Sequence, residues 1–162
     1  MFEGEPLLRA FRDARVELIV VGGVAATVQG SARVTMDLDI VYRRNPDNVR
    51  RLVAALAPLS PYLRGAPPGL PFRWDEPTIQ RGLNFTLTTS LGDVDVLGEI
   101  VGGGRYEDLL GSTVEVEAFG IPCRCLGLEK LIAVKRAAGR PKDLEAVAEL
   151  EVLWEERRKH GR

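Results

Sequence analysis

The sequence predicts an α/β (α+β) domain: a mixed, mostly antiparallel sheet with helices packed on it and a helical pair at the C-terminal end. Three observations carry this. VELIVVGG, VAATVQGSAR and VTMDLDIVY follow the order strand, Gly-Gly turn, helix, strand. LNFTLTTSLGDVDVLGEI alternates as a hairpin does, and LEKLIAVKRAAG followed by PKDLEAVAEL has helical apolar spacing.

Residues 5–15 (EPLLRAFRDAR) place Leu7, Leu8 and Phe11 at helical spacing, and VELIVVGG reads as a buried strand ending in a glycine pair. VAATVQGSAR predicts a short helix closed near Gly30, and residues 34–42 a strand. In that strand Asp37, Asp39 and Val41 share one face, while Leu38, Ile40 and Tyr42 share the other. PDNVRRLVAALAPL predicts a helix with Pro46 near its first turn, Asp47 at its amino end, and Val49, Leu52, Val53 and Leu56 on one face. Five of the ten prolines lie between Pro58 and Pro71, which predicts a long surface loop acting as a plain connector.

Trp74 is expected to pack beneath the hairpin that follows, whose wet side carries Asn84, Thr86 and Thr88. The second hairpin strand contains Asp93 and Asp95. GGGRY, residues 102–106, reads as a turn. TVEVEAFG and IPCRCL predict two more strands. LEKLIAVKRAAG is a helix with Leu128, Leu131, Ile132 and Lys135 near one face and Gly139 as its stop. A last helix runs from Pro141 and Asp143 to Lys159, its acidic start and basic end matching the helix dipole. One domain is expected over 1–162, with residues 1–126 forming a sheet core that holds the site and 127–162 the C-terminal helices.

The 162 residues are 45% apolar, ordinary for a chain that buries a proper core. Lys plus Arg (22) nearly balances Asp plus Glu (23), so no broad basic field favours nucleic acid and any such contact must be a local patch. MFEGEPLLRAF has no charged-then-apolar leader and no apolar run reaches 18 residues, so a cytoplasmic location without membrane contact is expected. Cys123 and Cys125 would share one strand face and are poorly placed to bridge, and a single histidine, His160, leaves zinc too few soft ligands.

Two carboxylates side by side on a core strand repel one another, and burying either is costly unless water, a basic side chain or a metal ion compensates. Three further features point to an ion and a phosphate. Val21-Gly22-Gly23 ends a strand just before a helix, where glycines let a phosphate approach backbone N–H groups. Asp95 supplies a third carboxylate from a distant strand. Lys135 and Arg140 supply cations of the sort that neutralise a triphosphate. Together these describe metal-dependent phosphate chemistry.

On VGGVAATVQGSARVTMDLDIVY, GDVDVLG and LGLEKLIAVKRAAGRPKDLEAVAEL, the chain resembles the nucleotidyltransferase superfamily of DNA polymerase beta-like fold. Within it, the chain is similar to small bacterial nucleotidyltransferase-like proteins related to the toxins of abortive-infection toxin-antitoxin systems. The resemblance implies that Gly22 and Gly23 lie under the triphosphate of an NTP and that Asp37 and Asp39 hold magnesium (or manganese) ions. Asp95 would be the third metal-binding carboxylate and the acceptor of the attacking hydroxyl's proton. Asp93, two residues away on the same face, is its rival; the position of Asp95 in VDVL favours it. Lys135 and Arg140 match nucleotide-binding cations, although Arg140 with Asp143 also reads as a structural turn in GRPKD. Arg33 is placed either to reach the triphosphate or to pair with Asp37.

The implied reaction transfers a nucleoside monophosphate from an NTP to an acceptor hydroxyl on RNA, protein or a small molecule. A tRNA end or a protein hydroxyl would be the target of a toxin, with an antitoxin protein as partner. Many active members carry Gly-Ser where this chain has Gly22-Gly23, so the hydroxyl that donates to a phosphate is missing and a backbone N–H is left to serve. A second reading is a non-catalytic module of the same fold that binds a nucleotide or a partner protein.

Overall fold

The structure, a computed structural model, describes residues 3–161, so the leader reading at Met1 and Phe2 lies outside the described residues. Helix α1 (Gly4–Asp13) leads into strand β1 (Leu18–Val21), whose Ile19, Val20 and Val21 are β-branched and buried. Helix α2 (Gly22–Val28) begins on the first glycine of the pair, and β2 (Asp37–Tyr42) follows. The strand starts at Asp37 rather than at residue 34, and Val34 and Met36 are exposed. Helix α3 (Pro46–Leu56) has Pro46 in its first turn, and the Asn45 side chain caps it by accepting from the Asn48 N–H at 2.8 Å.

The proline-rich stretch contains a two-residue strand, β3 (Tyr62–Leu63), and is followed by a short helix, α4 (Glu76–Arg81), that sequence spacing did not disclose. Asp75 caps α4 through the Thr78 N–H at 2.9 Å. The hairpin is β4 (Asn84–Thr89) and β5 (Gly92–Leu97). Residues 101–104 form the expected turn, ahead of an unforeseen single-turn helix, α5 (Tyr106–Leu109). Strands β6 (Thr113–Ala118) and β7 (Ile121–Leu126) precede α6 (Leu128–Ala138) and α7 (Pro141–Lys159). Gly139 ends α6 in the left-handed region, φ +68°.

All seven strands join one sheet in the order β3-β4-β5-β2-β1-β7-β6. β2 with β5 and β1 with β7 are parallel; the other four pairings are antiparallel. One sheet face is dry. Leu38, Ile40 and Tyr42 of β2 and Val94 and Val96 of β5 are fully buried there. They share a cluster with Leu7, Leu8 and Phe11 of α1 and Val49, Leu52 and Leu56 of α3. Trp74, partly buried, packs edge-on to Phe85 of the hairpin as expected, ring centroids 6.0 Å apart, and donates to the Val53 carbonyl at 3.2 Å. With the dry face so anchored, the aspartates of β2 and β5 must point to the other.

On that second face α2 contacts α6, and α7 packs on α6. The C-terminal helix also fastens the segment between α2 and β2. Arg157 donates to the Gln29 side chain and carbonyl at 2.6 and 2.7 Å, and Glu149 accepts from the Ser31 hydroxyl at 2.6 Å and the Ala32 N–H at 3.2 Å. The last helix therefore sets the position of the chain entering β2, and with it the first aspartate.

Candidate active site

Because β2 and β5 run parallel and in register, Asp37 lies beside Asp93 and Asp39 beside Asp95. Neighbouring strands are about 4.8 Å apart. Four carboxylates thus form a square on one sheet face. Asp37, Asp39 and Asp95 each offer an oxygen within 4.8 Å of the other two. Asp93 stands outside this group, its Oδ2 3.2 Å from the Nε of Arg64. The geometry gathers Asp95, not Asp93, with the β2 pair.

Burial, above all, raises the Asp39 carboxyl, pushed up to about 8; repulsion from Asp37, then a hydrogen bond with and repulsion from Asp95, add to it, and Lys135 opposes. Asp37 is also raised, first by burial and then by Asp95, against the pull of Arg64. The Asp39 Oδ1 is buried and has no hydrogen-bond partner. A buried carboxylate oxygen without a donor is costly, and a cation is what such an oxygen lacks. An all-oxygen donor set suits a hard divalent ion such as Mg2+ or Mn2+ and not a thiophilic one. The residues present therefore fit the ion that the resemblance implies.

Both glycines of the pair have a local cause. Gly22 has φ +67°, and a Cβ there would lie 1.9 Å from Asp39 Oδ2, so any side chain would push into the carboxylate. A Cβ at Gly23 would lie 2.6 Å from the hydroxyl of Thr35 and 3.1 Å from its Cβ. The space a serine would need is taken by Thr35, whose hydroxyl donates to the Asp37 carbonyl at 3.0 Å. Glycine at position 23 is thus what the entry to β2 requires.

A cleft of about 430 Å³ opens beside the carboxylates, bounded by Gly22, Asp39, Asp95, Asn84, Lys135 and Arg140. Lys135 lies 3.6 Å from Asp143 Oδ1, and Arg140 donates to Asp143 through Nε at 2.6 Å and Nη2 at 3.2 Å. Asp143 is 1% exposed, and its Oδ2 also accepts from the Arg140 backbone N–H at 3.3 Å. Burial works to raise Asp143, but Arg140 and Lys135 prevail and hold it below the usual carboxylate range. The GRPKD turn is structural and yet leaves both cations on the cleft.

Arg33 does not pair with Asp37: its guanidinium lies 3.8 Å from Glu145 and 3.9 Å from Glu149 of α7. Arg64, which sequence reasoning passed over, is at the centre instead. Its guanidinium lies 2.8 Å from Asp95, 3.2 Å from Asp93 and 3.8 Å from Asp37. The proline-rich stretch is thus more than a connector, since it delivers a cation to the carboxylates. The one available signal was that Arg64 is the sole charged residue between Pro58 and Pro71.

No protein-family model and no curated protein matches the chain. Solved structures do. The antibiotic-resistance factor ANT(2'')-Ia aligns with a TM-score of 0.55 at 18% identity over 96% of this chain and 89% of that one. The same protein in complex with adenylyl-2''-tobramycin gives a TM-score of 0.56 at 17% identity over 98% and 96%. A Thermotoga maritima protein described as a nucleotidyltransferase gives 0.56 at 19% identity over 92% and 94%. Likeness at this level of identity establishes the fold.

Proposed function

We propose that this chain, which has the nucleotidyltransferase fold, uses it for metal-dependent nucleotidyl transfer: a nucleoside monophosphate passes from an NTP to an acceptor hydroxyl and pyrophosphate leaves. The observation that carries the reading is the unpartnered buried oxygen of Asp39 within the Asp37, Asp39 and Asp95 group, beside a cleft edged with glycine and cations. Asp37, Asp39 and Asp95 would hold the ion, Mg2+ or Mn2+. When bound, the ion supplies charge neutralisation and activation of the phosphoryl centre.

The protein's own groups do the rest. The backbone N–H groups of Gly22 and Gly23 at the start of α2 are the donors left for the triphosphate, because Thr35 fills the place where a side-chain hydroxyl at position 23 would sit. Lys135 and Arg140, across the cleft, counter the negative charge of the leaving pyrophosphate. An Asp95 oxygen takes the proton as the acceptor oxygen bonds to the α-phosphorus and the bond to the pyrophosphate oxygen breaks. The adenylyl-2''-tobramycin complex of a protein with this fold supports a small-molecule hydroxyl as one acceptor class. The toxin role, with a tRNA or protein hydroxyl as target and an antitoxin as partner, rests on the sequence resemblance.

The test is label transfer. With α-32P NTPs and Mg2+ or Mn2+, the protein is expected to label one acceptor class among total tRNA, protein extract and aminoglycosides, and γ-32P NTPs to label none. Asp37→Asn should lower transfer by roughly a thousandfold, about 4 kcal/mol of barrier. Transfer of the γ-label, or equal transfer by Asp37→Asn, would contradict the assignment. A second reading, a non-catalytic module with its carboxylates permanently compensated, is favoured by one observation, the position of Arg64.

A further inference from the structure

Four carboxylates meet on the sheet face, and among the described residues Arg64 is the only cation within 4.0 Å of any of them. Its place is set by backbone pairing. β3 pairs Tyr62 with Thr88 and Leu63 with Leu87, and the Arg64 N–H continues the ladder to the Thr86 carbonyl at 3.0 Å. The side chain then reaches over β4 to the β5 and β2 aspartates. Gly65, φ +77°, turns the chain away immediately afterwards.

The guanidinium is unevenly seated. Nη2 donates to Asp95 Oδ1 at 2.8 Å and to the Leu87 carbonyl at 2.9 Å. Nη1 is only 3.8 Å from Asp37, and Nε is buried without a hydrogen-bond partner despite Asp93 at 3.2 Å. A well-made arginine fork satisfies its donors in the carboxylate plane, and this one does so at a single nitrogen. Arginine does not shed its charge in proteins, so its conflict with an incoming cation can be relieved only by movement.

We propose that Arg64 is a displaceable counter-cation: it compensates the carboxylates when no divalent ion is bound, and the ion enters by displacing its guanidinium from Asp37 and Asp95. This rests on the metal reading given above. The ion and the guanidinium compete for the same two carboxylates and repel each other at that distance. The Leu87 carbonyl remains as a partner once Asp95 is released, so the arginine keeps one hydrogen bond as it moves aside. Arg64 acts here on the ion's affinity and not on the reacting atoms.

The test is Mn2+ binding to the full chain, read from the free-ion EPR signal without nucleotide, for wild type, Arg64→Gln and Arg64→Lys. Arg64→Gln is expected to bind Mn2+ at least about tenfold tighter than wild type, a difference of about 1.4 kcal/mol. Arg64→Lys, which keeps the charge if the neutral variant fails to fold, should bind about threefold tighter, because one ammonium cannot span Asp37 and Asp95. Unchanged or weaker binding in folded variants would overturn the displacement while leaving the metal site standing. Absence of Mn2+ binding in all three proteins would overturn the displacement and the metal reading together.

Discussion

Asp39 is held by conflicting demands. Its strand neighbours are core residues, its Oδ1 has no donor, and its carboxyl is pushed up to about 8 by burial, then by Asp37 and Asp95. Between the ordinary carboxylate range and about pH 8 the folded protein binds a proton there that the unfolded chain has lost. Stability of the metal-free protein must therefore fall as pH rises from about 4 to about 8, and level off above. Asp37, also raised, acts in the same sense. Asp75, Asp143 and Glu149, held low by their partners, act on the acid side and oppositely. In chelator, the wild-type melting temperature is expected to drop between pH 5 and pH 8, and that of Asp39→Asn to drop clearly less, keeping only the contribution of Asp37. Even one pKa unit corresponds to about 1.4 kcal/mol, several degrees in a chain of this size. Parallel profiles for the two proteins would show that Asp39 is not the group at issue.

At the scale of elements, the site depends on how α6 and α7 meet. Asp143 closes the first turn of α7, accepts from Arg140 and neutralises Lys135 of α6, all while 1% exposed. Asp143→Ala is expected to destabilise the fold by about 2 kcal/mol in chemical denaturation, since it removes charge-assisted hydrogen bonds to a buried acceptor. A change under about 0.5 kcal/mol would mean that the pairing is a surface feature.

Elements with strong local signals were legible in the sequence: the LIVV strand, the Pro46 helix start, the hairpin and the Gly139 stop all follow from side-chain period and backbone preference. Short elements were not. β3 has two residues and is defined only by its pairing with β4, and α4 and α5 span six and four residues, too short for a helical period to register. Arg64 was hidden for the same reason, because its target lies 31 residues away across a sheet. The pairing of Arg33 was equally hidden, because its acidic partners lie on α7, more than a hundred residues along the chain.

For the molecule as a whole, the parallel pairing of β2 with β5 gives the arrangement its sense. Two Asp-x-Asp pairs, 56 residues apart in sequence, become one square only when the strands align in register, and a slip of one residue would turn one pair to the dry face. The sheet, anchored on α1 and α3, fixes that register, and α7 fixes the entry to β2. No helix among the described residues is long and apolar enough to cross a membrane. What the fold presents is a carboxylate platform at the edge of a cleft, sized for a small ligand, with cations opposite.

The measurement that tests this most directly is the thermal shift of wild type and of the Asp37→Ala/Asp39→Ala double variant with each of the four NTPs, with and without Mg2+ or Mn2+. An NTP at about 100 times its dissociation constant adds about 2.7 kcal/mol, a rise of roughly 5–10 °C. The account predicts that rise in the wild type for at least one NTP, only with the ion present, and its loss in a double variant that still folds. No shift with any NTP, or the same shift in the double variant, would contradict it.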